Sequence, residues 1–464
     1  MTLDASVLRP TGDGQWEGGL LTPAATGWSV KTYLLVTISI VFMAALGVGV
    51  GAILGEPATG AIVAALPAAL LVAAWPEIGV FLLVVYVPIE SYGTMGSATA
   101  TVTKVMAAYT GLVLLIHLLG GRRGNMGVGA LWLAIAYAAW SGLAMIGTRL
   151  PELAASVVVT RILLIGLMFI VLNACATRER FQALCWTLFL AAVAAAILSF
   201  FLTPKQESAR LTIEGINVNE HAQNLMGGAF MIPLLLGWSR PAGRLLVGLG
   251  SLVLLAGLVL TGSRSVWLAL VAGLLVAGLL YRGTSISRRV MWVLGTVVLL
   301  GTLVAVGFVS GIFGELVVGR VREGWEQGLT AGSRASAWMA ALRMGADHPL
   351  MGIGPGQYFL EASQYNVKMM MAPHNIFLNT FAEAGVPGLL LITAFMVAVF
   401  KKAWRVAQPG LRAVLLGLFA AALVTNLANP YYQTKGYWFH MSLCVLGGML
   451  FATRSQQEPG PSGG

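Results

Sequence analysis

The chain has 464 residues, of which 58% are hydrophobic and 10% charged, and its formal net charge is +10. A soluble domain carries about 25% charged residues, so this composition excludes an ordinary soluble protein. The positive charge does not indicate nucleic-acid binding, because the basic residues lie in short loops between apolar runs and form no patch. The three cysteines show no CxxC or His/Cys cluster, which predicts neither a disulfide framework nor a metal site.

Apolar runs of about 20 residues recur along most of the chain and predict a helical membrane protein with many spans. We expect an all-α integral membrane protein with about 12–14 transmembrane helices and one large, partly helical loop on the outer side. The lower number applies if segments 61–75 and 78–89, which Pro76-Glu77 separates, do not both span. The predicted spans are 33–54, 61–75, 78–89, 102–119, 128–146, 157–175, 181–202, 222–238, 245–260, 266–281, 290–310, 376–400, 413–427 and 437–451.

Lysine and arginine in the short loops predict the orientation of these spans. One set of alternate loops carries most of them, and the positive-inside rule places that set in the cytoplasm. The loop 203–221, Arg264 and the insertion 311–373 then face outward, away from ATP and nucleotide sugars. The cytoplasmic set comprises Arg122, Arg123, Arg178, Arg180, Arg240, Arg244, Arg282, Arg288, Arg289, Lys401, Lys402, Arg405, Arg412 and Arg454.

This orientation predicts five parts of the chain. Residues 1–31 form a cytoplasmic tail, and 32–310 form a transmembrane bundle with an outer loop near 203–221. Residues 311–374 form the large outer loop, and 375–453 form the C-terminal spans. The Pro/Gly/Ser-rich residues 454–464 are expected to be a disordered cytoplasmic tail.

Arg264 is the first candidate functional residue, because it stands in the tight turn Thr-Gly-Ser-Arg-Ser between two apolar runs. An arginine near the bilayer centre costs about 2.5–3.5 kcal/mol on insertion scales. The alternative is an interfacial arginine that extends its head group toward water. A fixed guanidinium binds phosphate or carboxylate with its planar fork.

The large insertion contains a second candidate, Arg334, in a stretch that reads as a helix. Trp338 and Leu342 follow at helical spacing and share one face. The alternative is an amphipathic helix on the membrane surface, with Arg334 at a lipid head group. The Gly/Pro-punctuated segment 347–356 is a turn region that lacks the GxGxxG spacing of a nucleotide loop.

His374 and Asn375 open the next apolar helix. Asn375 is expected to be its N-cap, and a helix N-terminus tends to keep a histidine neutral, as a general base requires. The alternative is an interfacial histidine with no role. Glu383 stands before Gly-Val-Pro-Gly at 385–388, which should kink or break the helix.

Further candidates for substrate binding are polar residues at span ends or inside spans. Arg161 lies within an apolar run and is expected to face the bundle interior. An aromatic group at 431–438 either stacks on sugar rings or forms an interfacial belt. The substrate-binding candidates are Arg210, Arg161, Lys104, His221, Arg343, Glu383 and Asn375.

The order of these motifs resembles that of the O-antigen ligase and polymerase superfamily, most closely over residues 205–390. The motifs are Thr-Gly-Ser-Arg264-Ser, Arg334 with Trp338, Asp-His-Pro-Leu-Met-Gly-Ile-Gly, His374-Asn-Ile-Phe-Leu and Glu383-Ala-Gly-Val-Pro-Gly. Members are multi-pass glycosyltransferases of the bacterial inner membrane with a large periplasmic loop. The resemblance implies that the outer face is the periplasm and that 311–374 is this periplasmic loop.

The resemblance also implies an activity. Family enzymes transfer a glycan from undecaprenyl diphosphate to a sugar hydroxyl, without metal or other cofactor. Their two essential arginines fall on Arg264 and Arg334, and their essential histidine falls on His374. Transfer opposite the diphosphate would invert the anomeric centre. The implied partners are the lipid-linked donor, a lipid A–core or growing-glycan acceptor, and membrane lipids, with no nucleic acid.

Ligase is the slightly favoured function, with glycan transfer to lipid A–core, and an O-antigen or exopolysaccharide polymerase is the alternative. A transporter of lipid-linked oligosaccharides is a third, less favoured hypothesis. Transporters typically show inverted repeats and ionisable residues at mid-membrane, whereas here the polar residues gather at one face and no repeat is evident.

Overall fold

The computed structural model describes residues 28–53, 57–93, 102–122, 124–125, 128–203, 210–213, 215–281, 301, 329–365 and 372–452. The named elements are all helices, which confirms the all-α prediction. The α-helices are α1 Val30–Ile53, α2 Pro57–Ala74, α3 Pro76–Tyr86, α4 Val102–Leu119, α5 Gly129–Leu143, α6 Pro151–Ala174, α7 Arg178–Leu202, α8 Val218–Trp238, α9 Pro241–Leu260, α10 Arg264–Leu280, α11 Leu329–Asp347, α12 Tyr358–Glu361, α13 Ile376–Trp404, α14 Pro409–Asn426 and α15 Lys435–Leu450. Short 3-10 segments cover Val87–Gly93, Ala362–Tyr365 and Tyr431–Gln433.

Six of the described helices are long and apolar enough to cross a membrane: α4, α6, α7, α9, α13 and α14. Shorter apolar helices lie at Val30–Phe42, Gly129–Leu143 and Arg264–Leu280. The predicted break at Pro76 is present, and α3 has only 11 residues, fewer than the ~20 of a full span. The predicted span 290–310 lies outside the described residues except for residue 301. Residues 1–27 of the predicted N-terminal tail and all of the predicted C-terminal tail 454–464 lie outside them as well. The number of spans therefore stays a prediction.

Contacts between helix ends define two ends of the bundle. At one end, which we call the site end, α8, α10, α13 and α15 begin. The hydrogen bonds Asn219–Ser263, Asn429–Ser265 and Asn379–Tyr432 join these starts to one another and to the segment 429–433. The loop between α5 and α6 lies at the same end, because Leu150 and Gln357 exchange hydrogen bonds.

A buried charged cluster joins α1, α3 and α7 at the opposite end. Glu77 is fully buried, and its Oε1 lies 2.8 Å from Arg180 Nη2. The hydroxyl of Tyr33 donates to the same carboxylate over 3.2 Å, and Arg122 Nη1 lies 3.9 Å from Oε2. Arg122 and Arg180 belong to the basic set predicted to share one face, and these contacts bring them together.

A small second core seats α11 on the first half of α13. Its buried members include Ala340, Ala341 and Met344 of α11, together with Tyr358 and Ala382. The hydroxyl of Tyr358 donates to the carbonyl of Ala337 over 2.9 Å. The predicted helix around Arg334 is therefore present and is fixed to the helix that His374 precedes.

Candidate active site at the start of three helices

The turn before α10 carries Arg264 as the first residue of that helix. Gly262 has φ +62°, a left-handed conformation that glycine adopts without strain. Ser263 is the N-cap, but its side chain does not cap the helix. Its Oγ donates instead to Asn219 Oδ1 of α8 over 2.8 Å. The free N–H groups of the first turn and the exposed Arg264 side chain thus give this helix end a positive potential.

Side chains from other elements hold this turn on both sides. The Asn429 amide donates to Ser265 Oγ over 2.5 Å, and Arg210 Nε donates to the carbonyl of Thr261 over 2.8 Å. Within the described part of the chain, the Arg264 side chain makes no hydrogen bond or ion pair. The neighbours of Arg264 are therefore fixed while its guanidinium stays available to an anionic ligand.

His374 and Arg334 are brought together by one tryptophan. The indole N–H of Trp338 in α11 donates to the carbonyl of Pro373 over 2.8 Å, immediately before His374. Arg334 stands one turn earlier on the same helix, and its charge acts on His374. The structure thus brings together the two elements that carry Arg334 and His374, two of the three residues that the resemblance implies are essential.

His374 has an unusual backbone and an unpaired ring nitrogen. Its φ is +49°, and among the described residues no other non-glycine residue has a positive φ. Its Nδ1 is buried without a hydrogen-bond partner in the described structure. Burial and the positive charge of Arg334 both lower the pKa of His374. The imidazole is therefore neutral near pH 7 and able to accept a proton.

Asn375 and Asn379 connect the start of α13 with the segment 429–433. The Asn375 side chain accepts from the backbone N–H groups of residues 377 and 378, which confirms the predicted N-cap. One turn later, the Asn379 amide donates to the Tyr432 hydroxyl over 2.8 Å. Since Asn429 of that segment binds Ser265, the starts of α10 and α13 are held by one short stretch of chain.

The predicted break in α13 occurs at Gly385, which has φ +65° and ψ −165°. The break frees carbonyl groups of the preceding turn, and the segment 347–356 satisfies them. The N–H of Ile353 donates to Ala382 O over 2.8 Å, and that of Gly354 donates to Glu383 O over 3.1 Å. This segment is therefore a docking element for the broken helix.

Two more hydrogen bonds pair backbone groups that the break at Gly385 leaves free. The Trp140 indole donates to Ala384 O over 2.8 Å, and the N–H of Val386 donates to Pro349 O over 2.7 Å. Unpaired backbone groups in an apolar environment are costly, so an irregular helix inside a membrane needs such partners. The polar atoms exposed by Gly385 are thus paired with α5 and the segment 347–356.

Arg161 and Glu383 bind each other inside the bundle. Arg161 faces the interior as predicted, and its Nη2 lies 2.9 Å from Glu383 Oε2. Its Nη1 donates to Ser141 Oγ over 3.0 Å, and its guanidinium lies 5.3 Å from the ring centroid of Tyr137. The pair that the sequence offered as substrate ligands is therefore mutually neutralised and buried.

Three further predicted residues make no described hydrogen bond to Arg264 or His374. Arg343 is exposed on α11, and His221 in the first turn of α8 is fully buried with no partner for either ring nitrogen within the described structure. Lys104 is half-buried at the start of α4, beside Thr103, whose hydroxyl binds Glu90. None of the three is joined to Arg264 or His374 by a hydrogen bond within the described structure.

The aromatic group at 431–438 fits neither of its two interpretations. Its side chains are buried in the core and lie neither on a sugar-binding surface nor in an interfacial belt. They are Tyr431, Tyr432, Tyr437 and Trp438, each at most 4% exposed. The described residues contain no group of three or more His, Cys, Asp or Glu that could hold a metal ion.

Several residues that hold the candidate site in place are not among those predicted from the sequence. Asn429 and Ser265 join α10 to the segment 429–433, and Trp140 caps the α13 break. The sequence signal that could have indicated them is a polar side chain inside or at the end of an apolar segment. Asn379, one turn before Glu383 inside a predicted span, is the clearest example of that signal.

The fold and the candidate site define a multi-pass helical membrane protein with basic residues at the end of the bundle where α8, α10 and α13 begin. Residues 249–393 match the Wzy_C family model, which describes an O-antigen ligase, and this match supports membership of the O-antigen ligase and polymerase superfamily. The match confirms the resemblance drawn from the motifs and includes Arg264, Arg334 and His374. No curated protein matches the chain.

Proposed function

We propose that the protein transfers a glycan from a polyprenyl diphosphate of the undecaprenyl type to a sugar hydroxyl at the site end of the bundle. In this proposal the site end faces the periplasm and the bundle spans the bacterial inner membrane. Ligation of glycan to lipid A–core is the first candidate reaction, and polymerisation of O-antigen or exopolysaccharide is the second. The matched family supports the coarser activity of a ligase or polymerase acting on membrane-linked glycans.

The observation that carries this proposal is the pairing of a neutral base with a cation. Arg334 lies close enough to His374 to lower its pKa, and the Trp338–Pro373 hydrogen bond joins their two elements. A neutral imidazole can accept the proton of an acceptor hydroxyl. The positive charge beside it can stabilise an anionic leaving group as that group departs.

The proposed step breaks one bond and forms one bond at the anomeric carbon. The acceptor oxygen attacks that carbon, its proton passes to the imidazole of His374, and the bond to the diphosphate oxygen breaks. The polyprenyl diphosphate leaves with the bonding electron pair. Attack opposite this leaving group inverts the anomeric centre.

Arg264 and Arg334 are proposed to stabilise the charge that develops on the diphosphate. Arg264 is exposed at a helix N-terminus, where the backbone N–H groups favour an anion as well. Two guanidiniums supply the cationic environment in this proposal, so transfer is expected to continue in the presence of a chelator. Arg210 binds the same turn and is proposed to contribute to phosphate binding.

Arg161, Glu383 and Asn375 are proposed to position the site. Arg161 and Glu383 neutralise each other beside the α13 break, and Asn375 caps the helix after His374. Lys104, His221 and Arg343 stay proposed ligands for the glycan or the lipid head group.

Deletion of the gene in its host, with rescue by wild type or His374→Ala, tests the proposal. Loss of long glycan on lipid A–core, with lipid-linked polymer accumulating, identifies a ligase. Short glycan that is still attached, or missing free polysaccharide, identifies a polymerase. An unchanged set of glycans, or full rescue by His374→Ala, overturns the catalytic proposal and favours the transporter.

A further inference from the structure

We propose that Trp338 is a positioning residue, which fixes His374 relative to Arg334 by holding the carbonyl group before His374. This inference rests on the proposed function and assigns a residue to the geometry of that site. Trp338 itself touches the backbone beside His374 and is not proposed to touch the reacting atoms.

The position of Trp338 on α11 makes this coupling direct. Arg334 and Trp338 are four residues apart, so their side chains lie on the same face of the helix. The indole N–H of Trp338 reaches Pro373 O at 2.8 Å. One side chain therefore connects the helix that carries the cation to the backbone that carries the base.

The backbone at His374 needs such a restraint. A left-handed φ of +49° is disfavoured for a residue with a Cβ, so surrounding contacts must maintain it. Hydrogen bonds hold both flanks of His374. Trp338 binds the carbonyl of Pro373 on one side, and the side chain of Asn375 accepts two backbone N–H groups on the other.

The seating of α11 on the bundle does not depend on Trp338. Ala340, Ala341 and Met344 of α11 form the small core with Tyr358 and Ala382 and are at most 1% exposed. The Trp338 side chain is 38% exposed and lies outside that core. Loss of the indole N–H should therefore leave α11 docked and change the local geometry at His374.

The charges around His374 give a specific readout for this geometry. Among the described groups, Arg334 of α11 is the charged side chain that acts on His374. If Trp338 sets their separation, loss of its N–H lets the two groups move apart. The pKa of His374 should then rise toward its ordinary value, whereas a variant that affects stability alone would leave that pKa in place.

The test compares wild type with Trp338→Phe and with a chain carrying 3-benzothienylalanine at position 338. The second replacement keeps the size of the ring system and replaces the N–H with sulfur. Diethyl pyrocarbonate modifies neutral imidazole, so mass spectrometry of the peptide containing His374, from reactions across pH, reports the pKa of that residue. Turnover and KM for the acceptor are measured on the same preparations, and thermal unfolding in detergent reports folding.

We expect both replacements to raise the pKa of His374 and to lower turnover about 10-fold, with KM for the acceptor changed less than about two-fold. Met339→Ala is the matched control, because Met339 is the next residue of α11 and is 51% exposed. It should leave the titration and turnover unchanged. If Trp338→Phe fails to fold, the benzothienylalanine chain decides.

An unchanged titration of His374 in a folded Trp338 variant would overturn the positioning role. A wild-type protein that shows no transfer, while the replacements still shift the titration, would refute the proposed function and leave the positioning role supported. The two failures are therefore distinguishable.

Discussion

Arg161 and Glu383 form an ion pair inside the bundle, with 2.9 Å between Nη2 and Oε2 and both side chains 6% exposed. Glu383 stands two residues before the break at Gly385, and its carbonyl accepts a hydrogen bond from Gly354. Glu383 therefore binds α6 through its side chain and the segment 347–356 through its backbone carbonyl.

Removing one member of this pair should destabilise the protein strongly. Arg161→Met or Glu383→Met leaves the partner buried without its neutralising group, at a cost of about 3–5 kcal/mol. The double variant Arg161→Met/Glu383→Met should be less destabilised than Arg161→Met alone, because no unpaired charge remains. Thermal unfolding in detergent measures all three. If the loss of stability in the double variant equals the sum of the losses in the two single variants, the two residues do not stabilise each other.

Gly385→Ala should dislodge the segment 347–356 from α13. Its φ and ψ fall in a region that is essentially restricted to glycine, and adopting it costs other residues about 1–3 kcal/mol. A Cβ there would also lie 2.4 Å from the carbonyl oxygen of Leu350. We expect a lower unfolding temperature and faster proteolysis after Leu350. Gly166→Ala is the control, since no atom lies within 4 Å of its added Cβ, and equal behaviour of the two variants would contradict this account.

Arg264→Ala should reduce turnover about 10²–10³-fold while the protein remains folded, because a preorganised charge donor to the leaving group is lost. Arg264→Lys should recover only part of this, since an ammonium lacks the planar fork of the guanidinium. Turnover is measured with a lipid-diphosphate glycan donor. Arg240→Ala removes an exposed arginine at the other end of α9 and should have little effect. If Arg240→Ala lost turnover to a comparable extent, the effect would be due to the change in net charge and not to the position of Arg264.

The pH dependence of transfer should follow the lowered pKa of His374. The neutral imidazole is the active form, so activity is present above this pKa and is lost as the pH falls through it. Burial and Arg334 hold the pKa below the ordinary 6.5, which places the acid limb of kcat/KM below pH 6.5. Residual activity of Arg334→Gln should show this limb at higher pH, whereas Arg334→Lys should retain the low position. A limb that is the same in all three proteins would exclude His374 as the titrating base.

Local signals in the sequence predict the all-α fold, the cap and the break of α13, and the inward-facing arginine of α6. An asparagine before an apolar run predicted the cap at Asn375, and the Gly-Val-Pro-Gly sequence predicted the break at Gly385. An arginine within an apolar run predicted that Arg161 faces inward. Each of these depends on neighbouring residues and the cost of polar groups in an apolar environment.

Pairings between distant residues were not predictable in this way. Arg161 and Glu383 are 222 positions apart, and Ser265 and Asn429 are 164 apart. Their contacts arise from tertiary packing, which single-sequence patterns do not contain. The sequence therefore predicts Arg161 and Glu383 as separate substrate ligands, whereas the structure shows that they bind each other.

The most direct test of the catalytic account is glycan transfer by the purified protein in lipid vesicles with EDTA present. The assay supplies a polyprenyl-diphosphate glycan and a sugar acceptor, and compares wild type with Arg264→Ala, Arg334→Ala and His374→Ala. We predict that wild type forms an inverted glycosidic product and that each variant loses about 10²-fold or more of its turnover while remaining folded. Full transfer by a folded His374→Ala protein would contradict the assignment of the base at this site.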